Sequence, residues 1–213
     1  MTRLLAALLA LFLVSPAAAE QRGGTPGDFD FWVLSLSWSP SYCRFGENPS
    51  PAECDGRHPG FVVHGLWPQY ERGYPSFCPS SMPRRLPAAV VDSVDDIMPS
   101  QGLIRHEWEK HGFCSGLSAN QYFSLLRRAF EKVHIPAPLL KVGEDSMVKP
   151  EVIEGAFAAA NPGLTPAGMA AVCSDGHFEE LRVCFDKSLN FRRCAEVDRG
   201  TCRSPRTLVP AAN

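Results

Sequence analysis

Residues 61–68 read Phe-Val-Val-His-Gly-Leu-Trp-Pro, and residues 106–114 read His-Glu-Trp-Glu-Lys-His-Gly-Phe-Cys. The first segment is apolar and rich in β-branched and aromatic residues apart from one histidine, which predicts a buried strand that ends at Pro68. The second segment completes a helical pattern over residues 103–111, and Gly112 is typical of the position just after a helix. We therefore expect a strand and a short helix to carry the functional residues.

Four side chains of the kind used in catalysis lie close together on the predicted helix. If His106 is set at 0°, a turn of about 100° per residue places Lys110 at about 40°, Glu107 at about 100° and His111 at about 140°. The four side chains then share one face and can point into one cleft. The alternative is a solvated polar face, which is where most charged helical residues lie.

The same helix also has some likeness to the H-E-x-x-H helix of zinc proteases. In that motif the two histidines are four residues apart, whereas His106 and His111 are five apart and diverge by about 140°. Lys110 lies between them and would repel a divalent cation. We therefore expect no metal and no cofactor, and keep a zinc-dependent hydrolase as the rival hypothesis.

His64 supplies a further imidazole in the predicted strand. A lone histidine in an apolar strand is more often a hydrogen-bonded core residue, but Gly65 leaves space beside it and Trp67 offers an apolar wall for a cleft. Two imidazoles can remove a proton from one oxygen and donate a proton to another near neutral pH. With Lys110 as a cation and Glu107 as an orienting carboxylate, these groups suit phosphodiester transfer to a ribose 2′-OH, which needs no metal.

The N-terminus and the overall charge bear on the compartment and the partner. Residues 1–19 combine Arg3, an apolar run over 4–14 and a small-residue site at 17–19, which predicts a signal peptide followed by one domain over 20–213. The apolar run is too short to span a bilayer, and no later segment resembles a span, so we expect no membrane association. We expect export, with a bacterial periplasm preferred over an extracellular location. The net charge of −2 excludes a general nucleic-acid coat protein.

An even number of cysteines in an exported chain favours disulfides over a metal site. Spacing alone leaves the connectivity open. One pair is suggested locally, because residues 183–185 and 191–193 look like short strands around a turn and would bring Cys184 close to Cys194. The eight cysteines are Cys43, Cys54, Cys78, Cys114, Cys173, Cys184, Cys194 and Cys202.

The remaining pattern predicts an α+β fold in which strands, then helices, then strands follow one another along the chain. A capping box at Ser118 and Gln121 marks the start of one amphipathic helix. The expected strands are residues 29–37, 61–67, 178–185 and 190–197. The expected helices are residues 87–98, 103–111, 118–133 and 150–160.

The two quoted segments resemble the signature blocks F-x-x-H-G-L-W-P and H-E-W-x-K-H-G-x-C of the ribonuclease T2 family. Further similarity covers residues 29–43 and 182–194, so the resemblance extends over nearly all of residues 20–213. It implies an α+β fold with a central antiparallel sheet, packed helices and a single disulfide-stapled domain. It also implies a metal-independent endoribonuclease that cuts single-stranded RNA with low base specificity. We expect a monomer that leaves DNA intact, because DNA has no 2′-OH.

Carried over by position, the resemblance implies a role for each polar residue of the predicted cleft. His111 is the expected general base on the 2′-OH and His64 the expected general acid on the 5′-oxygen, which yields a 2′,3′-cyclic phosphate and, after hydrolysis, a 3′-phosphate. Glu107 and Lys110 are expected to stabilise the pentacoordinate intermediate, and His106 to bind phosphate. The alternative is a binding protein of the same fold that no longer cuts RNA.

The resemblance also implies a base-binding region and a disulfide pattern. Trp67 and Tyr74 are expected to offer stacking surfaces for the base, although both also suit a place in the core. Gln69 would lie beside the base pocket, where many members of the family carry an acidic residue. The implied disulfides are 43 to 54, 78 to 114, 173 to 202 and 184 to 194.

Overall fold

A computed structural model describes residues 20–55, 60–140 and 142–212 of the chain. The predicted signal peptide, residues 1–19, lies outside the described residues. The strands are β1 (Glu20–Arg22), β2 (Phe31–Trp38), β3 (Phe61–Gln69), β4 (Tyr74–Ser76), β5 (Ser146–Val148), β6 (Met169–Ser174), β7 (His177–Phe185) and β8 (Thr207–Val209). The α-helices are α1 (Ser39–Phe45), α2 (Pro51–Cys54), α3 (Ala88–Asp92), α4 (Gln101–Glu107), α5 (Ala119–Glu131), α6 (Ala137–Leu140), α7 (Pro150–Ala160) and α8 (Ala195–Asp198).

The main sheet is built around β2, which pairs with β3 on one side and with β7 on the other. Its strand order is β3-β2-β7-β8-β5, and β6 also pairs with β7. All of these pairs are antiparallel except the contact between β7 and β8, which is parallel. Because β2 is buried on both faces, its sequence is a mostly apolar run and does not alternate between apolar and polar residues. The α+β fold is confirmed, with one parallel contact in the otherwise antiparallel main sheet.

The strand expected over residues 190–197 is wrong. Phe191 makes one isolated bridge to Phe185, and the chain then enters α8 instead of extending the sheet. The Asp186 carboxylate accepts hydrogen bonds from the backbone N–H groups of Ser188 and Asn190, which closes the turn. After this turn, the Cys194 N–H donates to a carbonyl outside β7, so the chain no longer pairs with β7.

The helix expected over residues 87–98 is shorter than predicted, because α3 covers only Ala88–Asp92. Past that point the Ser93 hydroxyl donates to the Val90 carbonyl. The N–H groups of Val94 and Ile97 donate to carbonyls three residues earlier, which forms tight turns instead of a continued α-helix. The other long helices agree with the sequence. The capping box at Ser118 opens α5, and α7 spans the expected residues 150–160.

The core fixes α4 and the turn after it against the sheet. Trp108 is buried, its indole N–H donates to the Pro83 carbonyl at 3.0 Å, and its ring contacts Phe113 and Tyr122. The Tyr122 hydroxyl in turn donates to the Leu66 carbonyl of β3 at 2.8 Å. One aromatic cluster therefore joins the predicted helical segment to the predicted strand.

Four disulfides join the same pairs that the family resemblance implies. The pair between Cys78 and Cys114 connects the segment after β4 to the end of the helical segment at residues 101–115. The pair between Cys184 and Cys194 connects β7 to α8. In the part of the chain that the structure describes, no helix is both long and apolar enough to cross a membrane.

Candidate active site

His64 occupies a β-bulge in β3. Ser35 of β2 pairs with Gly65 and Leu36 pairs with Val63, so His64 has no partner in the register between these two strands. Bulges redirect a side chain relative to the regular alternation of a strand. The His64 side chain is 36% exposed, whereas Val63 and Gly65 are buried, so the bulge presents the imidazole to the cleft.

Two carboxylates flank the His64 imidazole. Its Nδ1–H donates to Glu180 Oε2 of β7 at 3.1 Å, and its Nε2 lies 3.8 Å from Glu107 Oε1. With Nδ1 held by Glu180, Nε2 is the nitrogen left for chemistry in the cleft. Glu180 is itself held by the Ser35 hydroxyl at 2.6 Å and by the Arg182 guanidinium.

These contacts favour the protonated form of His64. Burial by itself lowers the pKa of His64, but the hydrogen bond to Glu180 and the charges of Glu180 and Glu107 raise it to about 8. Burial likewise favours the neutral form of Glu180, yet its hydrogen bond from His64 and the charge of Arg182 hold its pKa well below the usual range. These shifts favour a His64 imidazolium paired with the buried Glu180 carboxylate.

The helical segment does not follow a uniform α-helix. After α4 ends at Glu107, residues Trp108–Gly112 form a π-helical turn, and a 3₁₀ turn then runs over Phe113–Ser115. The Phe113 N–H donates to the Trp108 carbonyl, which is the wide hydrogen bond of a π turn. The angles predicted for Lys110 and His111 therefore do not hold, but both still line one cleft with His106 and Glu107.

Gly112 does not end the helical segment as predicted. A Cβ at this position would lie 2.1 Å from the Trp108 ring, so the glycine is needed for the close packing of that indole. The segment ends at Gly116, which adopts a left-handed conformation with φ of 72°.

Glu107 is 1% exposed and lies against β3. The Trp67 indole N–H donates to Glu107 Oε2 at 2.7 Å. A Cβ on Gly65 would lie 1.9 Å from the same oxygen, so only glycine leaves room for this carboxylate. Burial raises the pKa of Glu107 to about 7, against the opposing effects of His64, Trp67 and Lys110.

His111 has the opposite electrostatic environment from His64. Its side chain is buried, the Trp67 ring stacks on it at a centroid distance of 5.3 Å, and the Tyr74 ring lies at 6.2 Å. Its Nδ1 has no hydrogen-bond partner within the described residues. Burial, followed by the charges of Lys110 and His64, holds the pKa of His111 well below its usual value. The His111 imidazole is therefore neutral where His64 is charged.

The cleft has a volume of about 610 Å³ and brings together every polar residue that the sequence predicts for the site. His106 is exposed, and burial of part of its ring and the charge of Lys110 lower its pKa. Tyr74 and Gln69 line the cleft beside Trp67, and Gln69 is mostly buried. Among the described residues, no cluster of three or more His, Cys, Asp or Glu side chains is arranged to hold a metal ion.

Sequence reasoning missed three residues around His64, namely Ser35, Glu180 and Arg182. Their signal is present in the sequence, because Glu180 and Arg182 interrupt the apolar pattern of β7 two residues apart. A charged pair in a central strand needs a partner, since a buried charge is costly unless it is paired. The partner comes from a neighbouring strand, and the order of strands in the sheet cannot be read from the sequence.

Comparisons with known proteins agree on one family. The model of the ribonuclease T2 family matches residues 29–194. A ribonuclease from Aeromonas hydrophila is 39% identical over 175 residues, covering 80% of this chain and 78% of its own length. A probable ribonuclease from Haemophilus influenzae is 32% identical, covering 78% of this chain and 61% of its own length.

Solved structures show the same fold at lower identity. The RNase-related protein from Calystegia sepium superposes with a TM-score of 0.69 at 23% identity, covering 87% of this chain and 98% of that one. RNase NT, in a structure with 5′-AMP, superposes with a TM-score of 0.66 at 24% identity, covering 86% of this chain and 99% of that one.

Replacing Gly65 with alanine tests the packing of the site. Because the new Cβ would overlap Glu107 Oε2 and the Trp67 indole nitrogen, Gly65→Ala should lower the free energy of unfolding by about 1–3 kcal/mol. The measurement is urea denaturation with the disulfides intact. Gly155→Ala, in α7 with nothing within 4 Å of its Cβ, is the matched control and should stabilise by about 0.5–1 kcal/mol. Equal stability of Gly65→Ala and the unmodified protein would contradict this packing.

Proposed function

The chain belongs to the ribonuclease T2 family of endoribonucleases, and we propose that it cleaves single-stranded RNA by metal-independent transphosphorylation. The observation that carries this proposal is the pair of imidazoles in one cleft with opposite pKa shifts. The environment of His64 favours its protonated form, and that of His111 favours its neutral form. A general acid and a general base are thus both ready in the free protein.

In the first step His111 accepts the proton of the ribose 2′-OH, and the 2′-oxygen attacks the adjacent phosphorus. His64 Nε2 donates its proton to the departing 5′-oxygen, so the bond from phosphorus to that oxygen breaks. The products are a 2′,3′-cyclic phosphate and a free 5′-hydroxyl. DNA is not cut, because it has no 2′-OH.

In the second step the two imidazoles exchange roles. His64, now neutral, accepts a proton from water, and the resulting hydroxide attacks the cyclic phosphate. His111, now protonated, donates its proton to the 2′-oxygen, which leaves a 3′-phosphate. Both histidines return to their starting states, so no cofactor is consumed.

The negative charge that develops on the phosphoryl oxygens is stabilised by the groups around it. Lys110 supplies a fixed positive charge in the cleft, and His106 offers an imidazole from its exposed position. Because the pKa of Glu107 is raised to about 7, this carboxyl group is partly protonated near neutral pH and can donate a hydrogen bond to a phosphoryl oxygen.

Low base specificity follows from the character of the base pocket. Tyr74 lies beside His111 and offers a ring to the base of the nucleotide that supplies the 2′-OH, whereas the Trp67 ring already contacts His111 and the Arg182 guanidinium and borders this base. Stacking contributes about 1–3 kcal/mol per base and tolerates any base. Gln69 lines the same cleft and offers an amide that can hydrogen-bond to a base.

We further place the protein outside the cytoplasm and as a monomer. Four disulfides are typical of chains that fold in an oxidising compartment. The predicted signal peptide agrees with this, and a bacterial periplasm is favoured over an extracellular location. A monomer suffices for the proposed mechanism, because one chain supplies every group that it uses.

The activity is tested with residues 20–213, single-stranded RNA and single-stranded DNA, each with and without EDTA. RNA should be cut to 2′,3′-cyclic phosphate ends in the presence of EDTA, and DNA should stay intact. A folded His111→Ala variant is the inactive control, because it lacks the base. Loss of cleavage on chelation would support the zinc hydrolase instead, and no cleavage between mildly acidic and neutral pH would support the binding protein.

The role of Glu180 is tested by the pH dependence of kcat/KM. The general acid must be protonated, so activity is lost on the alkaline side as the pH rises through the pKa of His64, whereas protonation of His111 limits activity on the acidic side. Glu180→Gln removes the charge that raises this pKa, and the alkaline limb should therefore move down by about one pH unit or more. Glu179→Gln changes the exposed neighbouring carboxylate and should shift this limb far less. An alkaline limb that stays in place in Glu180→Gln would contradict the assignment of His64 as the acid.

A further inference from the structure

One wall of the cleft comes from the C-terminal part of the chain and has no role in the mechanism above. This C-terminal wall consists of α8 and the residues after it that line the cleft, and it places Arg199 and Arg203 on the same cavity as His106 and Lys110. Both arginines are exposed. Their guanidinium groups can therefore reach a ligand that enters the cleft.

The C-terminal wall is fixed to the sheet on both sides of Arg199. Cys194 is bonded to Cys184 of β7, and Cys202 is bonded to Cys173 of β6. The Glu196 carboxylate also accepts a hydrogen bond from the Gly73 N–H at 2.6 Å, just before Tyr74. The two arginines therefore extend from a held segment.

The charge of this wall is free for a ligand. Within the described residues, the side chains of Arg199 and Arg203 make no hydrogen bond or ion pair, whereas the Arg182 side chain is held by Glu180. The cleft gathers one lysine and three arginines against two glutamates, in a chain whose net charge is −2. Unpaired guanidinium groups bind phosphate oxygens well, because their N–H groups match the spacing of those oxygens.

The position of the wall indicates which phosphate it faces. The nucleotide that supplies the 2′-OH must lie at His111, and its base beside Trp67 and Tyr74. Glu196 of α8 accepts a hydrogen bond from Gly73, directly before Tyr74, and the Tyr74 ring lies 6.2 Å from His111. The wall therefore lies on the side of this nucleotide, whereas the leaving nucleotide lies at His64.

We propose that Arg199 and Arg203 form a subsite for the backbone phosphate on the 5′ side of the nucleotide that supplies the 2′-OH. This inference rests on the proposed function and adds a substrate class to it. The enzyme is selective for RNA that continues, or carries a phosphate, 5′ of the cleaved nucleotide. A dinucleotide without that phosphate leaves the subsite empty.

The experiment compares kcat/KM for three substrates that share their bases: ApA, 5′-phosphorylated pApA and 3′-phosphorylated ApAp. In the unmodified protein pApA should exceed ApA by about fivefold or more, because two charge-assisted contacts form. ApAp carries the same extra charge on the other flank and should gain less. In the double variant R199A/R203A the ratio of pApA to ApA should fall to about 1, and R199K/R203K should restore part of it.

Arg193→Ala is the matched control, because Arg193 is an exposed arginine just before α8 that does not line the cleft. Its ratio of pApA to ApA should equal that of the unmodified protein. A ratio near 1 in the unmodified protein, an unchanged ratio in R199A/R203A or an equal gain with ApAp would overturn the subsite. Failure to cleave any of the three substrates, or longer RNA, would instead overturn the proposed function itself.

Discussion

The hydrogen bond from His64 to Glu180 is the contact on which the rest of the site depends. It exists because a bulge in β3 removes His64 from the regular register and because β7 lies two strands away with β2 between them. The Ser35 hydroxyl of β2 donates to the same oxygen, Glu180 Oε2, and Arg182 of β7 donates to the other oxygen, Oε1. The central three strands of the sheet thus fix the tautomer, the direction and the charge of one imidazole.

The helical segment supplies the complementary imidazole by a different means. His111 is buried beside Trp67 and near Lys110, so its proton is disfavoured, whereas His64 has carboxylates on both sides. Trp67 contacts both halves, since its ring stacks on His111 and its N–H holds Glu107. The absence of a side chain on Gly65 is what lets the strand approach this carboxylate. The packing therefore shifts the pKa values of the two imidazoles in opposite directions.

Much of this arrangement follows from the sequence, because the strand and helical segments are strongly patterned and each carries its own polar residues. The α+β fold, the capping box at Ser118 and the convergence of both histidine segments on one cleft were all predictable. Glu180 and the bulge were not, because they depend on strand order and register. The π turn and the helix α8 were missed for a similar reason, since tertiary packing around Trp108 and the Cys184 disulfide overrides local pattern.

The most direct test of the account is the pKa of each imidazole, measured by NMR titration of ¹³C-labelled and ¹⁵N-labelled histidine in the unmodified protein. The resonances can be assigned with His64→Asn and His111→Asn. We expect His64 to titrate with a pKa of about 8, above the usual value of 6.5, and His111 to titrate well below 6.5. If both imidazoles titrate together near 6.5, or if their order is reversed, the assignment of His64 as acid and His111 as base is wrong.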